Sequence, residues 1–225
     1  MKRHNHLVAK LRLATILAVL ASSSLHAISI KDVWINEIHY DNSGADKEEF
    51  VELAVKSGAS LSGLELIRVE TSSSGNVTYS DNSDLSGLVI SNITNGFGFG
   101  TVDISGIQNG PNDGLALKIG TSILQFISYE GVLSTNFGIL PAPITSVDIG
   151  VQESSSNTDQ ESLQFLGFAG KGTWTGPIQN TKGSVNTGQK LTASSVPDQS
   201  STFSLFGTVF LLVLVLNRKI KSRRT

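Results

Sequence analysis

The chain has no cysteine in 225 residues and only one methionine. A disulfide framework is excluded, and so is any site built on thiolates. Histidine is almost as scarce. Three of the four, His4, His6 and His26, stand near the N-terminus, so His39 is the only one in the body of the chain. Arg68 is the body's only arginine. Zinc needs about three His or Cys ligands, and phosphoryl transfer needs several cations or a metal to hold the developing charge. The body supplies neither. A Ser–His–Asp arrangement needs a histidine oriented by a carboxylate. His39 is the single candidate, beside Tyr40 and without a nucleophile-elbow serine; its plainer reading is a strand-edge or turn-capping residue.

Helical periodicity is also missing. From Ile30 to about Leu191 no stretch of 11 residues keeps a 3.6-residue apolar repeat. Short apolar or alternating runs recur instead: Val33–His39, Phe50–Val55, Leu64–Val69, Val77–Tyr79, Leu88–Ile93, Thr101–Ile104, Leu115–Ile119, Ile123–Tyr129 and Leu163–Phe168. Turn clusters such as Asn42-Ser-Gly, Lys56-Ser-Gly-Ala-Ser and Asn109-Gly-Pro-Asn-Asp-Gly separate them. So many short strands without a helical crossover predict an all-β fold, an Ig-like antiparallel sandwich, with a closed barrel as the alternative.

Charge is distributed unevenly. Residues 28–195 hold 8 basic and 18 acidic residues, a net charge near −10, while four basic residues precede them and five end the chain. Phosphate backbones repel such a body, so no nucleic-acid partner is expected. Residues 1–27 have the layout of a secretory signal peptide: basic residues, an apolar run from Leu13 to Leu20, then small residues. Cleavage after Ala27 or after Ala21 fits that layout. At the other end, 192–202 read as a polar linker carrying Val196, Pro197, Asp198, Ser201 and Thr202. Fourteen uncharged residues, Phe203 to Leu216, follow. With the uncharged flank from Gln199 to Asn217 the segment approaches the ~20 residues of a membrane span. The expected helix is 203–217, and the basic tail 218–225 places the C-terminus on the cytoplasmic side.

The order of short motif, apolar helix and basic cluster resembles the PEP-CTERM class of bacterial sorting signals, in a variant with Val-Pro-Asp and Ser-Thr in place of Val-Pro-Glu-Pro. That resemblance implies an exosortase-type processing enzyme as a partner, membrane attachment before sorting, and a final place at the cell surface or outside. The body carries a second resemblance. Trp34-Ile-Asn-Glu-Ile-His-Tyr-Asp-Asn-Ser-Gly-Ala-Asp-Lys-Glu-Glu-Phe-Val-Glu-Leu53 is similar to the opening of the lamin-tail domain family of secreted bacterial proteins. Asp113-Gly-Leu-Ala-Leu117, Phe126-Ile-Ser-Tyr-Glu-Gly131, Ser146 to Glu153, Ser162-Leu-Gln164, Thr173-Trp-Thr175 and Gly183-Ser-Val-Asn186 continue it in order. It implies an Ig-like sandwich over 28–191, used for binding or tethering. Residues 72 to 110 fit least well and read as an inserted pair of strands.

One cluster in the body has chemical potential. Glu37, Asp41, Asp46, Glu48, Glu49 and Glu52 lie within 16 positions, with Asn36 and Asn42 adding amide oxygens. Calcium takes six to eight hard oxygen ligands, and Asp41-Asn-Ser-Gly-Ala-Asp46 has the composition of a bent loop, without EF-hand spacing. Calcium is accordingly the only cofactor reading, with Glu37, Asp41, Asp46, Glu48 and Glu49 as its candidate ligands. The plainer reading is a turn whose carboxylates are solvated or cap backbone N–H groups. Asn36, Glu37 and Glu52 are expected to meet across adjacent strands near one end of the sandwich. Trp34 and Trp174 are read as core side chains, with sugar stacking as the alternative. The functional expectation is an exported, non-catalytic module that binds a surface or exopolysaccharide component; a metal-dependent hydrolase using the 41–52 cluster is the competing one.

Overall fold

The computed structural model describes residues 27–72 and 77–191, so the expected leader up to residue 26, the linker, the apolar helix and the basic tail lie outside the described residues. Among the described residues there are thirteen strands and no helix. One sheet has the order β13 (Trp174–Gln179), β12 (Glu161–Phe165), β1 (Val33–His39), β2 (Phe50–Lys56), β6 (Phe97–Asp103), β5 (Ser91–Thr94). The other has β11 (Val147–Asp148), β8 (Ser122–Tyr129), β7 (Asp113–Ile119), β3 (Leu64–Thr71), β4 (Val77–Asp84). A short hairpin of β9 (Ser134–Thr135) and β10 (Ile144–Thr145) stands apart. The two separate sheets are a sandwich rather than a closed barrel. The antiparallel expectation holds except at one edge, where β11 runs parallel to β8.

The apolar runs explain the layering. Val33, Ile35, Ile38, Tyr40, Val51, Leu53 and Val55 from one sheet meet Leu64, Leu66, Leu115, Leu117, Ile127 and Tyr129 from the other. A simple period of two would turn Ile38 away from Ile35. A bulge between Ile35 and Glu37 absorbs Asn36 as the extra residue and returns Ile38 and Tyr40 to the interior. Each sheet also buries its outer face. Trp34, Ala54, Phe97, Phe99, Phe165 and Leu191 pack outside the first sheet. Ile67, Val69, Ala116 and Phe126 on the outside of the second pack against Leu133 and Phe137 of the 131–146 segment. Trp34 is fully buried, with its ring centroid 5.0 Å from Phe97 and 5.5 Å from Phe168, as its core reading required.

The segment 72–110 differs from the expected pair of strands. It contributes three, with β4 closing one sheet and β5–β6 closing the other. The run Leu88–Ile93 is not itself a strand; β5 begins only at Ser91. Leu88 and Ile90 instead fold over Gly98 and Gly100 of β6. A Cβ on Gly98 would lie 2.5 Å from Ile90 Cγ2, and one on Gly100 2.6 Å from Ile90 Cδ1. The alternation Phe97-Gly-Phe-Gly100 therefore places rings outside and room inside. Asn95 and Gly96, at φ 51° and 83°, form the two-residue turn between β5 and β6. Gly98→Val is expected to lower stability by about 2 kcal/mol or more through overpacking, read as a lower denaturation midpoint.

Candidate functional site

Burying the outer face of the first sheet forces its polar side chains to find partners, since an unsatisfied buried polar group costs on the order of 1–3 kcal/mol. Asn36, Glu37 and Glu52 lie at the middle of that face, with no exposed surface. They do meet, as expected, though away from the ends of the sandwich: Glu37 and Glu52 are Cα partners across β1 and β2, and the Asn36 amide donates to Glu52 Oε1 at 3.0 Å. Trp34 Nε1 donates to Asn36 Oδ1 at 3.2 Å, and Gln189 Nε2 donates to the same oxygen at 2.6 Å. Glu37 accepts from the Ser162 hydroxyl at 2.6 Å, the Thr181 N–H at 2.8 Å and the Thr181 hydroxyl at 2.8 Å. The Gly183 N–H donates to Glu52 at 2.5 Å. Asn186 donates to the carbonyls of Asn36 and Phe165. The 180–191 segment is thus fastened over the sheet by carboxylates and amides.

Burial raises the pKa of both carboxylic acids. For Glu52 the neighbouring Glu37 charge adds to burial, and the value is pushed up to about 8 despite the donors from Asn36, Gly183 and Ser184. Glu37 is also raised by burial, which outweighs its donors Ser162, Thr181 and Gln164.

A second buried cluster forms at the far end of β1. His39 Nδ1 lies 2.9 Å from Glu153 Oε1, and Nε2 lies 3.1 Å from the Lys47 carbonyl. Both side chains of the His39–Glu153 pair are fully buried. An imidazole facing an acceptor at each nitrogen satisfies both only as the doubly protonated cation. Burial alone would lower its pKa, but the Glu153 hydrogen bond and charge, the Lys47 carbonyl and the Glu49 charge together hold it raised. Glu153 Oε2 also accepts from the N–H groups of Tyr40 and Asp41, at 2.5 and 3.0 Å. His39, expected as a strand-edge or turn-capping residue, ends β1 and is the buried half of an ion pair with Glu153, the carboxylate that orients it. With both nitrogens engaged and no exposed surface, the ring has no free position for a substrate proton.

The acidic stretch is divided by these partnerships. Glu49 is buried and accepts from the N–H groups of Gly106 and Ile107, at 2.6 and 2.8 Å. Asp41 is buried beside Glu153. Asp46 is exposed at the surface, where Asn109 Nδ2 donates to it at 3.3 Å. Glu48 is exposed, with φ 57°. The loop 41–47 is closed by Asn42, whose Oδ1 accepts from the Lys47 N–H at 2.8 Å. Glu37 sits apart with Glu52. Among the described residues no group of three or more His, Cys, Asp or Glu side chains is placed to hold a metal ion.

A cleft of about 660 Å³ opens where the sheet edges part, lined among others by Ile123, Phe126, Val147, Phe165, Lys171 and Trp174. Trp174 is half-buried, packed on Phe165 with ring centroids 5.6 Å apart. Residues that sequence reasoning left without a role are Glu153, Ser162, Thr181, Asn186 and Gln189. Four of these five fill the hydrogen-bonding needs of the outer face, and Glu153 those of His39. Their signal was positional only: Glu153, Ser162 and Asn186 fall inside the segments that carried the lamin-tail resemblance.

Residues 195–220 match the VPDSG-CTERM motif. The match supports a C-terminal exosortase-type signal, and the chain departs from the motif's name at Gln199-Ser200, where Ser-Gly would stand. Neither a curated protein nor a solved structure matches the chain.

The two clusters give a pH dependence of one sign. A histidine with a raised pKa contributes stability that is complete below about pH 6.5, its unfolded value, and lost as pH rises through the folded one. A carboxylic acid raised to about 8 likewise loses its contribution as pH climbs from its unfolded value toward 8. The melting temperature should fall between pH 5 and pH 9. His39→Gln should remove the histidine's part of that slope, and an unchanged slope would refute the assignment. Glu153→Gln leaves His39 without its counter-charge and should cost about 3–5 kcal/mol, measured by denaturant unfolding.

Proposed function

We propose that the chain is an exported, non-catalytic module, a lamin-tail-like Ig-type sandwich that binds or tethers a surface or exopolysaccharide component, held at the membrane by 203–217 until an exosortase-type enzyme processes it. The observation that carries the sorting half is the VPDSG-CTERM match over 195–220. The binding half is supported by how the body uses its reactive groups: His39, Glu37, Glu49, Glu52 and Glu153 are all buried and committed to partners within the fold. The cleft beside Trp174, within the 300–1,000 Å³ range of ligand sites, is the natural place for a bound chain.

The metal-dependent hydrolase reading draws support from no comparable arrangement, since Asp41, Glu49 and Glu37 serve different partners. Metal-dependent turnover of an ester, phosphate or glycoside, lost in Glu49→Gln, would restore it. For the sorting half, intact-mass measurement of the exported protein should show loss of the segment beyond the Val196-Pro-Asp198 motif. Asp198→Ala should accumulate the unprocessed chain in the membrane fraction. A variant processed like the parent would reject the motif assignment.

A further inference from the structure

The exposed charge of the body is sorted by end. One end of the first sheet carries Trp34, Ala54 and Phe97, with Leu191 packed on them. Four exposed lysines surround that end: Lys31, Lys56, Lys171 and Lys190. Lys31 precedes β1, and Lys56 closes β2 opposite Phe97. Lys171 bridges to Phe168, whose ring rests against Trp34 and Phe97. Lys190 adjoins the buried Leu191. The described carboxylates at that end of the body are Asp32, buried and held by Ser29 and by Lys56 at 3.4 Å, and, on the second sheet, Glu65, paired with Lys118 at 2.9 Å, and the exposed Asp84. The four exposed lysines are half of the body's eight basic residues.

The opposite end, where His39, Phe50 and Asp103 share a row, has the reverse character. Asp46, Glu48 and Asp103 are exposed there and Asp159 is half-exposed, with Lys47 and Lys182 as the accompanying cations. Lys182 is itself paired with Asp103 at 2.7 Å. The net charge near −10 therefore conceals an axis, lysine-rich at one end and carboxylate-rich at the other.

The chain leaves from the lysine-rich end. Leu191 is anchored against Trp34, and Phe203, where the apolar run starts, follows twelve residues later, at most about 40 Å of extended chain. Whatever path those residues take, the tethered end of the body is the basic one. Tethering also keeps the local lysine concentration at the bilayer high, so weak attraction suffices. Anionic headgroups attract clustered lysines within a Debye length of about 8 Å at physiological salt and repel the carboxylate end.

We propose that Lys31, Lys56, Lys171 and Lys190 form a docking surface for an anionic lipid bilayer, which stands the tethered body on the membrane with its acidic end outward. This rests on the membrane-anchored reading above, and the test separates the two. The natural absence of cysteine lets single labels be placed at the exposed Ser57→Cys, on the basic end, or Ser43→Cys, on the acidic end. The full chain would be reconstituted into phosphatidylcholine vesicles with or without phosphatidylglycerol, and quenching by headgroup-labelled lipid measured at each label. Flotation with phosphatidylcholine alone reads anchoring; a chain that fails to float refutes the anchor, and the docking proposal with it. For a chain that floats, quenching at position 57 should exceed that at position 43 severalfold when phosphatidylglycerol is present. Added salt should erase the difference in the unaltered chain, and so should Lys31→Glu, Lys171→Glu and Lys190→Glu combined. Equal quenching at both labels, or quenching indifferent to phosphatidylglycerol and salt, would overturn docking while leaving the anchor intact.

Discussion

The arrangement depends on a sheet that is buried on both faces. An antiparallel sheet ordinarily keeps one face for water, and β1 and β2 have the polar residues for such a face: Asn36, Glu37, His39 and Glu52. Here that face is roofed by residues 153–157 and 180–191, so two carboxyl groups and an imidazole lose their water. Moving an unpaired charge into the interior costs far more than the packing of any one side chain returns. The roof therefore has to bring donors, and it does so through Thr181, Gly183, Asn186 and Gln189, beside Ser162 of the neighbouring strand β12, with Glu153 supplying the charge that His39 needs. Polar satisfaction fixes the position of the roof, and the apolar packing of Leu191, Phe165 and Trp34 seals it.

This explains which parts of the molecule were legible in advance. Runs such as Val33–His39 and Leu115–Ile119 match or nearly match observed strands because a buried central strand shows its apolar residues directly. Phe97–Asp103 was hidden by its glycines, which signal a turn in a sequence and provide space for Leu88 and Ile90 in the fold. Strand β13 was hidden differently. Trp174-Thr-Gly-Pro-Ile-Gln179 holds an internal glycine and proline, tolerable because it is an edge strand. The parallel β11 is two residues long, too short for any periodicity to mark.

The acidic cluster shows the same limit at the level of a site. Six carboxylates in 16 positions suggest one centre, yet strand geometry sends neighbours in sequence to different surroundings. Glu48 projects to solvent, Glu49 turns to the Gly106 and Ile107 amides, and Glu52 is enclosed with Glu37. Density along the chain does not become density in space unless the backbone curls around a point, as a calcium loop does. The loop 41–47 curls, but around the side chain of its own Asn42. The partners that decide the roles of Glu37, Glu49 and Glu52 include groups more than fifty residues away, at 106, 107, 162, 181 and 183, and no local pattern in 37–52 reveals them.

Long-range pairing also bears on what an exported module must withstand. Glu37 to Thr181 and His39 to Glu153 join the first strand to segments over a hundred residues later, so the last described segment cannot lift without stripping buried carboxyl groups of their donors. That segment ends at Leu191, the point from which the polar linker toward the sorting motif departs. Any pull transmitted along the linker, whether from a membrane anchor or from a processing enzyme, is therefore delivered first to the 180–191 roof. The roof resists as a unit because its hydrogen bonds are buried and shared among Asn36, Glu37 and Glu52, so breaking one exposes its neighbours to the same desolvation cost. The constraint that shapes the outer face is thus the one that lets the body remain folded under such a pull.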